Sequence, residues 1–332
     1  MTQLAVPDCA ALRDAGLAAI CAALPALTLL NLERCINVRC LAPISNLKGL
    51  RHLNIRLVPF DDTSLSFLAD ATHLRHLATY ITSTRVACIA VLQRLTKLKT
   101  LSLHVHDVTD FSPLSGLSHL SHLELPQHTK EDLSALSGLS RIRVLNLKAA
   151  RVASIETISE FHRLEVLSLA ATPCTDISPL AAAAALTDLD LSCSAVVSIA
   201  PLVSLTALKK LRLWQCPVDD WAPLCNPSLA TLELLDVRET SFTNCALLAC
   251  MHMLEWLLLD RCAIPATSLA TLARLPALSN LSVKYLPDVT SMDIFTSFPA
   301  LKFLYLSKKQ MPRADQRQLV RRLPNFTVTA SV

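Results

Sequence analysis

The residues of this chain that could do chemistry are 10 histidines, 12 cysteines and 27 carboxylates. Their spacing directs most of them away from catalysis. His52 and His76 share one column of a repeating pattern, with His104 and His122 nearby. Clustered imidazoles hold zinc when a cysteine or carboxylate completes the set. Only Glu124 stands beside these four, so they read as solvated surface histidines and no metal is assigned. The cysteines form no C-x-x-C pair, and none follows Cys262. That usage suits reduced thiols acting as small core or turn residues. Asp188 with Asp190, and Asp236 with Asp260, could approach across strands. A flat, wet sheet would leave such carboxylates at ordinary strength, whereas general acid–base work needs burial or tight pairing. The only glycines are Gly16, Gly49, Gly116 and Gly138. They are too far apart for a phosphate-cradling loop, which excludes the Rossmann and P-loop classes. No nucleophile elbow or H-E-x-x-H occurs. The expectation is a non-enzyme with no cofactor and no small-molecule substrate.

The elements that must carry these residues follow from an internal repeat, the first thing to seek in a chain of this kind. The pattern L-x-x-L-x-L, with Ile, Val or Thr allowed, starts at Leu27, Leu50, Leu74, Leu98, Leu120, Ile142, Leu164, Leu186, Leu208, Leu232, Leu254, Leu278 and Leu301. Its steps are 22 to 24 residues throughout. Each unit supplies a short parallel strand whose alternate leucines point inward. A second apolar set on the return segment closes the core: Phe60, Val108, Val152, Val196, Val218, Phe242, Ile264 and Met311. The 24-residue units leave room for a helical turn, as at 64–69, and the shorter ones suit 3₁₀ turns.

On these residues the chain resembles the leucine-rich repeat superfamily, whose motif is L-x-x-L-x-L-x-x-N/C-x-L. The central units are similar to its 22-residue, internalin-like subclass. Asp110-Phe-Ser-Pro113-Leu114, Asp176-Ile-Ser-Pro179-Leu180, Ser198-Ile-Ala-Pro201-Leu202 and Asp220-Trp-Ala-Pro223-Leu224 stand at one offset behind their own leucines. The resemblance covers roughly residues 27 to 311. It implies an α/β repeat solenoid: an arc of about 13 parallel strands on the concave face, with 3₁₀ or short helices on the convex face. One column departs from the family. Its ninth place, usually Asn, reads Cys35, Val58, Thr82, His106, His128, Ala150, Thr172, Ser194, Cys216, Thr240, Cys262, Leu286 and Lys309. Cys, Thr and Ser can replace part of the amide's bonding, but Val, Ala and Leu cannot. The turn N–H groups there need other partners, water or each other.

The organisation expected is a helical N-terminal cap over 1–26, repeats over 27–309, and a C-terminal cap over 310–332. The first cap places Leu12, Leu17, Ile20 and Leu24 at roughly helical spacing. The last is a basic helix, Arg313 to Arg322, followed by a strand, Phe326 to Val328. The apolar stretch from Ala15 to Leu30 lacks a basic start and contains Pro25, so it reads as cap and first strand rather than signal peptide or membrane span. No membrane insertion is expected. Thiol usage, with sequons only at Asn280 and Asn325, points to a cytoplasmic, reducing location. Apolar residues make up 52% of the chain and the formal net charge is +4. That charge is too mild and scattered to imply nucleic acid.

The places that face solvent are the third, fifth, seventh and eighth of each unit. The early units present His52, Asn54, Arg56, His76, Tyr80, His104, His122 and Glu124, and the central ones the bland Val144, Asn146, Lys148, Val166, Ser168 and Ala170. The later units present Lys210, Arg212, Trp214, Asp236, Arg238, Trp256, Leu258, Asp260, Tyr285, Phe303 and Tyr305. Aromatics set among Arg and Asp have the composition of interface hot spots. The first expectation is therefore an adaptor or recognition scaffold that binds a protein through this concave surface. Two readings stay beside it. One is an architectural subunit of a ribonucleoprotein or cytoskeletal assembly, in which the basic cap could touch RNA, although four arginines beside Asp315 read more simply as a solvated cap. The other, resting on the repeat subclass, is an internalin-like surface or virulence receptor.

Overall fold

A computed structural model describes residues 1–60, 65–80, 89–104, 108, 110–128, 132–286, 289 and 293–307. The expected C-terminal helix and strand, Met311, Asn325, and the ninth-place Thr82, His106 and Lys309 lie outside the described residues. Among the described residues the strands number fourteen, laid down in sequence order and parallel. The chain divides into two compact units, Met1–Leu167 and Ser168–Val332.

In the first unit, β1 (Gln3–Ala5) precedes α1 (Asp14–Ala23). Then come β2 (Leu29–Asn31), β3 (His52–Arg56), β4 (His76–Tyr80), β5 (Thr100–His104), β6 (His122–Glu124) and β7 (Val144–Asn146). Strand β8 (Val166–Ser168) falls at the division. The second unit contains β9 (Asp188–Asp190), β10 (Lys210–Arg212), β11 (Leu234–Asp236), β12 (Trp256–Leu258), β13 (Asn280–Ser282) and β14 (Phe303–Tyr305). Every strand from β2 to β14 begins at the third place of its unit. Like therefore pairs with like: Leu30 stands opposite Leu53, Leu53 opposite Leu77, and Leu211 opposite Leu235.

The leucines at the first, fourth and sixth places form the core. Leu27, Leu30 and Leu32 are fully buried, as are Leu208, Leu211 and Leu213. Each such side chain removed from water contributes about 2 kcal/mol against the entropy of ordering the coil. The return-segment set is buried as well, from Phe60 and Val108 to Phe242 and Ile264. Most return segments are 3₁₀ turns. The Asp-x-Ser-Pro motif makes them by capping: Asp110 Oδ1 accepts the Ser112 N–H at 2.8 Å, and its Oδ2 accepts the Ser112 hydroxyl at 2.8 Å. Proline then follows where no N–H is needed. Asp176 with Ser178 repeats the arrangement. In the 24-residue unit after Leu50 the turn covers Ser66–Leu68.

Two features differ from the sequence reading. Strand β1 lies within the segment expected to be only helical. Its Leu4 pairs with Leu30, and Val6 N–H donates to Asn31 O at 2.9 Å. The ninth-place turns need neither water nor each other. The N–H of Cys35, Ala150, Thr172, Ser194, Cys216 and Cys262 each donates to the carbonyl three residues back, at 3.0 to 3.2 Å. Side chains add to this: Thr172 Oγ1 donates to Leu169 O at 2.7 Å, and Cys216 Sγ to Leu191 O at 2.9 Å. Part of the work of the missing Asn is done four places earlier. Asn31, Asn54, Asn146, Asp190 and Asp236 each accept the N–H two residues on, at 2.9 to 3.1 Å.

The eighth place has a cost of its own. Arg34, Leu57, Gln127, Ala149, Ala171, Cys193, Gln215, Glu239, Arg261 and Tyr285 all sit at φ between 54 and 60°. Left-handed backbone strains an L side chain by about 1 kcal/mol and glycine hardly at all. Ala171→Gly should therefore raise stability by about 0.5–1 kcal/mol, the gain offset in part by a freer unfolded chain. Urea denaturation measures this, and a lower midpoint for the variant would refute the strain account.

Candidate functional site

Alternation of inward leucine and outward polar residue puts the third and fifth places of each strand on the solvent face. The buried–exposed pattern of β10 and β12 follows it. In residues 168–332 this face is ordered side chain by side chain. The Asp236 carboxylate accepts from Arg238 twice, Nε at 2.8 Å and Nη2 at 2.6 Å, and takes the Arg238 backbone N–H as well. Asp236 is only 2% exposed, so it is not available to a partner as the sequence suggested. It is an anchor for Arg238, whose own pKa it raises, chiefly through that hydrogen bond. The anchored guanidinium lies 5.5 Å from the Trp214 ring centroid.

The same motif recurs beside it. Arg261 sits 5.0 Å from the centre of the Tyr285 ring and bonds Glu239 at 3.2 Å, while Gln215 donates to Glu239 at 2.7 Å. Lys284 Nζ lies 5.9 Å from the Tyr305 ring, and Arg212 donates to Asp188 at 2.6 Å. Asp260 holds the Ser282 hydroxyl and the Lys284 N–H. Trp256 and Tyr285 remain 39% and 42% exposed, which is unusual for rings of this size. Lys210 is exposed, and Trp214, Leu258, Phe303 and Tyr305 are half-buried. The rings thus lie on the face and not among the leucines. Sequence reasoning missed Gln215 and Glu239, whose eighth-place repetition was the available signal.

In residues 1–167 the face is built differently, and the histidines are not simply solvated. His52 and His76 stack face to face, with ring centres 4.4 Å apart and planes 5° from parallel. They line a depression of about 430 Å³ together with Asn31, Asn54, Arg56 and Thr100. Next to it Arg56 Nη2 donates to Ser102 Oγ at 2.7 Å and to Glu124 Oε2 at 2.9 Å, and Ser102 donates to Glu124 at 2.6 Å. His104 Nε2 stands 3.8 Å from the same oxygen. The Glu124 pKa is driven down to about 2, first by the His104 imidazole, against the upward push of burial, then by Ser102 and Arg56. At 3.8 Å the imidazole is too far for a short hydrogen bond, so the contacts from Ser102 and Arg56 are the firmer part of that hold. Glu124, set only beside solvated histidines in the sequence reading, is thus no ordinary surface carboxylate. The cause is a strand pairing that brings Arg56, Ser102 and Glu124 into one half-buried cluster. His128, at a ninth place, is buried edge-on against Phe111 at 5.2 Å.

Neither arrangement is that of an acid–base pair. Glu124 is held ionised by its partners, and a general acid needs the opposite shift. Burial pushes the Cys21 and Cys174 thiols up to about 11 and that of Cys245 to about 12. Thiolate, the reactive form, is disfavoured at all three. Among the described residues no group of three His, Cys, Asp or Glu could hold a metal. No described helix is long and apolar enough to cross a membrane. Asn280 of the first sequon is buried in β13.

No protein-family model matches the chain, and no curated protein matches it by sequence. Solved structures do match by shape. An internalin, InlF of Listeria monocytogenes, aligns with a TM-score of 0.78 at 23% identity over 92% of this chain and 86% of that one. A leucine-rich repeat protein of Leptospira interrogans aligns at 0.72 and 17% identity, over 92% and 84%. The ectodomain of the Arabidopsis thaliana receptor kinase GASSHO1/SCHENGEN3, in complex with Casparian strip integrity factor 2, aligns at 0.60 and 14% identity. It shares 85% of this chain but 42% of its own length. At these identities the likeness is one of fold.

Proposed function

The chain is a leucine-rich repeat solenoid, and from that premise we propose that it is a non-catalytic recognition module that binds a protein through the strand face of residues 168–332. The observation that carries this reading is the exposure of Trp256 and Tyr285 on a strand face that also carries Arg238 over Trp214 and Arg261 over Tyr285. Exposed aromatics of that size signal a partner surface. The anchoring also removes part of the entropy that binding would otherwise cost. Similarity to InlF and to a receptor ectodomain solved with a bound protein factor agrees with such a use of the fold. Cys21, Cys35, Cys174, Cys216, Cys245 and Cys262 are buried without a disulfide, which suits a reducing, cytoplasmic setting.

The test is affinity purification with crosslinking and mass spectrometry, comparing the full chain with its Trp256→Ala variant. The ring is outside the core, so stability should move by less than about 0.5 kcal/mol. Recovery of the specific partner should fall by roughly tenfold, as for a moderate hot spot. Equal recovery by a folded Trp256→Ala protein would remove this surface from consideration.

A further inference from the structure

The second place of each unit, just ahead of its strand, forms a row that the residues of the strand face do not explain. Rungs of this row are joined through the backbone: Arg75 N–H and His76 N–H donate to Arg51 O, and Lys99 N–H and Thr100 N–H to Arg75 O, at 2.8 to 3.1 Å. Successive rungs therefore lie roughly 4.8 Å apart. Three exposed cations in succession, Arg51, Arg75 and Lys99, occupy it. Among the described residues none of the three makes an ion pair, whereas two other cations of the row are neutralised rung to rung. Arg143 pairs with Glu165, and Lys209 with Glu233 at 2.9 Å. The fold thus has a ready way to balance this row, and the early rungs forgo it. Like charges side by side destabilise a sheet, so the free protein bears a cost for keeping them.

Among the described residues, the strand face beside the row also carries no carboxylate. Over β3, β4 and the described part of β5 the facing residues are His52, Asn54 and Arg56, then His76, Ala78 and Tyr80, then Thr100, Ser102 and His104. Two acids flank this strand face and are already engaged: Glu33 accepts from Asn54 at 3.0 Å, and Glu124 is held by Arg56 and Ser102. His76 registers the resulting field. Burial first, then the positive charges of His52, Lys99, Arg75 and His122, push its pKa below 6.5.

We propose that the row Arg51, Arg75 and Lys99, with the stacked His52–His76 pair beside it, docks a short acidic segment of a partner protein, a run of Asp or Glu side chains. Three rungs span roughly 10 Å, enough for two or three carboxylates on an extended chain. Long flexible stems take up the difference between rung spacing and peptide repeat. A nucleic acid fits less well. It wants a continuous basic track and open rings for its bases. Here Glu33 and Glu124 flank the strand face, and the two imidazoles already cover each other. This surface belongs to residues 1–167 and does not depend on Trp256, so either can fail without the other.

The experiment uses the full chain and fluorescein-labelled hexaglutamate, followed by anisotropy at about 20 mM and about 150 mM salt, where screening differs strongly. The expected result is saturable binding that weakens with salt and falls at least about tenfold in Arg75→Glu. Arg51→Gln and Lys99→Gln should each weaken it about threefold. Lys209→Gln, which alters a cation of the same row already paired with Glu233, should bind as the unaltered protein does. Because Arg75 is flanked by like charge, Arg75→Glu should also melt no lower than the unaltered chain at low salt. Four results would overturn the proposal: no hexaglutamate binding at low salt, an undiminished Arg75→Glu, an equal loss in Lys209→Gln, or tighter binding of a single-stranded oligonucleotide of matched charge.

Discussion

Truncation of Phe242 to alanine should lower stability by about 3–5 kcal/mol, the range for removing a fully buried aromatic and leaving a cavity. Phe242 has no exposed surface and meets Trp221 edge-to-face, with ring centres 5.3 Å apart. Trp221 is itself 7% exposed, with its indole N–H donated to Ser241 Oγ at 3.0 Å. Ser241 in turn donates to Val218 O at 2.7 Å, which ties one return segment to the one before it. A repeat array couples each coil mainly to its neighbours. The loss should therefore be local first. Amide exchange around β10 to β12 should accelerate in Phe242→Ala, while that of β2 to β4 stays near its original rate. Urea denaturation gives the total, and a change below about 1 kcal/mol would mean that the return segment is not a true second wall of the core.

The sequence placed Trp214 and Trp256 on the strand face and made no assignment for Trp221, which packs against Phe242. Trp214 and Trp256 stand at the seventh and third places of their units, Trp221 in the return segment behind the strand. Column position alone separates them, because every strand from β2 to β14 starts at the same place in its repeat. Strand β1 escaped the same reasoning because Gln3-Leu4-Ala5 offers a single leucine to pair with Leu30, and one residue sets no period. What columns cannot reveal is how neighbouring side chains turn. Asp236 occupies a solvent-facing place, yet its carboxylate is folded under Arg238 and lost to solvent. His52 and His76 were visible as column mates, but not as stacked rings. The unpaired row at Arg51, Arg75 and Lys99 could have been read from the sequence. It becomes conspicuous only once Arg143 and Lys209 are seen to pair across rungs.

Stability should depend on acid through Glu124 more than through the paired surface carboxylates. Its folded pKa, about 2, lies below the ordinary 4.5. A group depressed in this way favours the folded state above its unfolded pKa, and that contribution drains away as pH falls from about 4.5 towards about 2. The full shift corresponds to roughly 3.4 kcal/mol at 1.36 per unit. The side chain is 34% exposed, so screening reduces the expected contribution to about 2 kcal/mol. Replacing it by glutamine removes the charge but keeps the shape, leaving the Arg56 guanidinium against a neutral amide. Urea denaturation at several pH values should show Glu124→Gln weaker by about 2 kcal/mol near pH 6, with the gap closing towards pH 2.5. A gap that stays constant with pH would mean the residue acts by packing alone. The cluster of Arg56, Ser102, His104 and Glu124 would then be a consequence of the fold and not one of its supports.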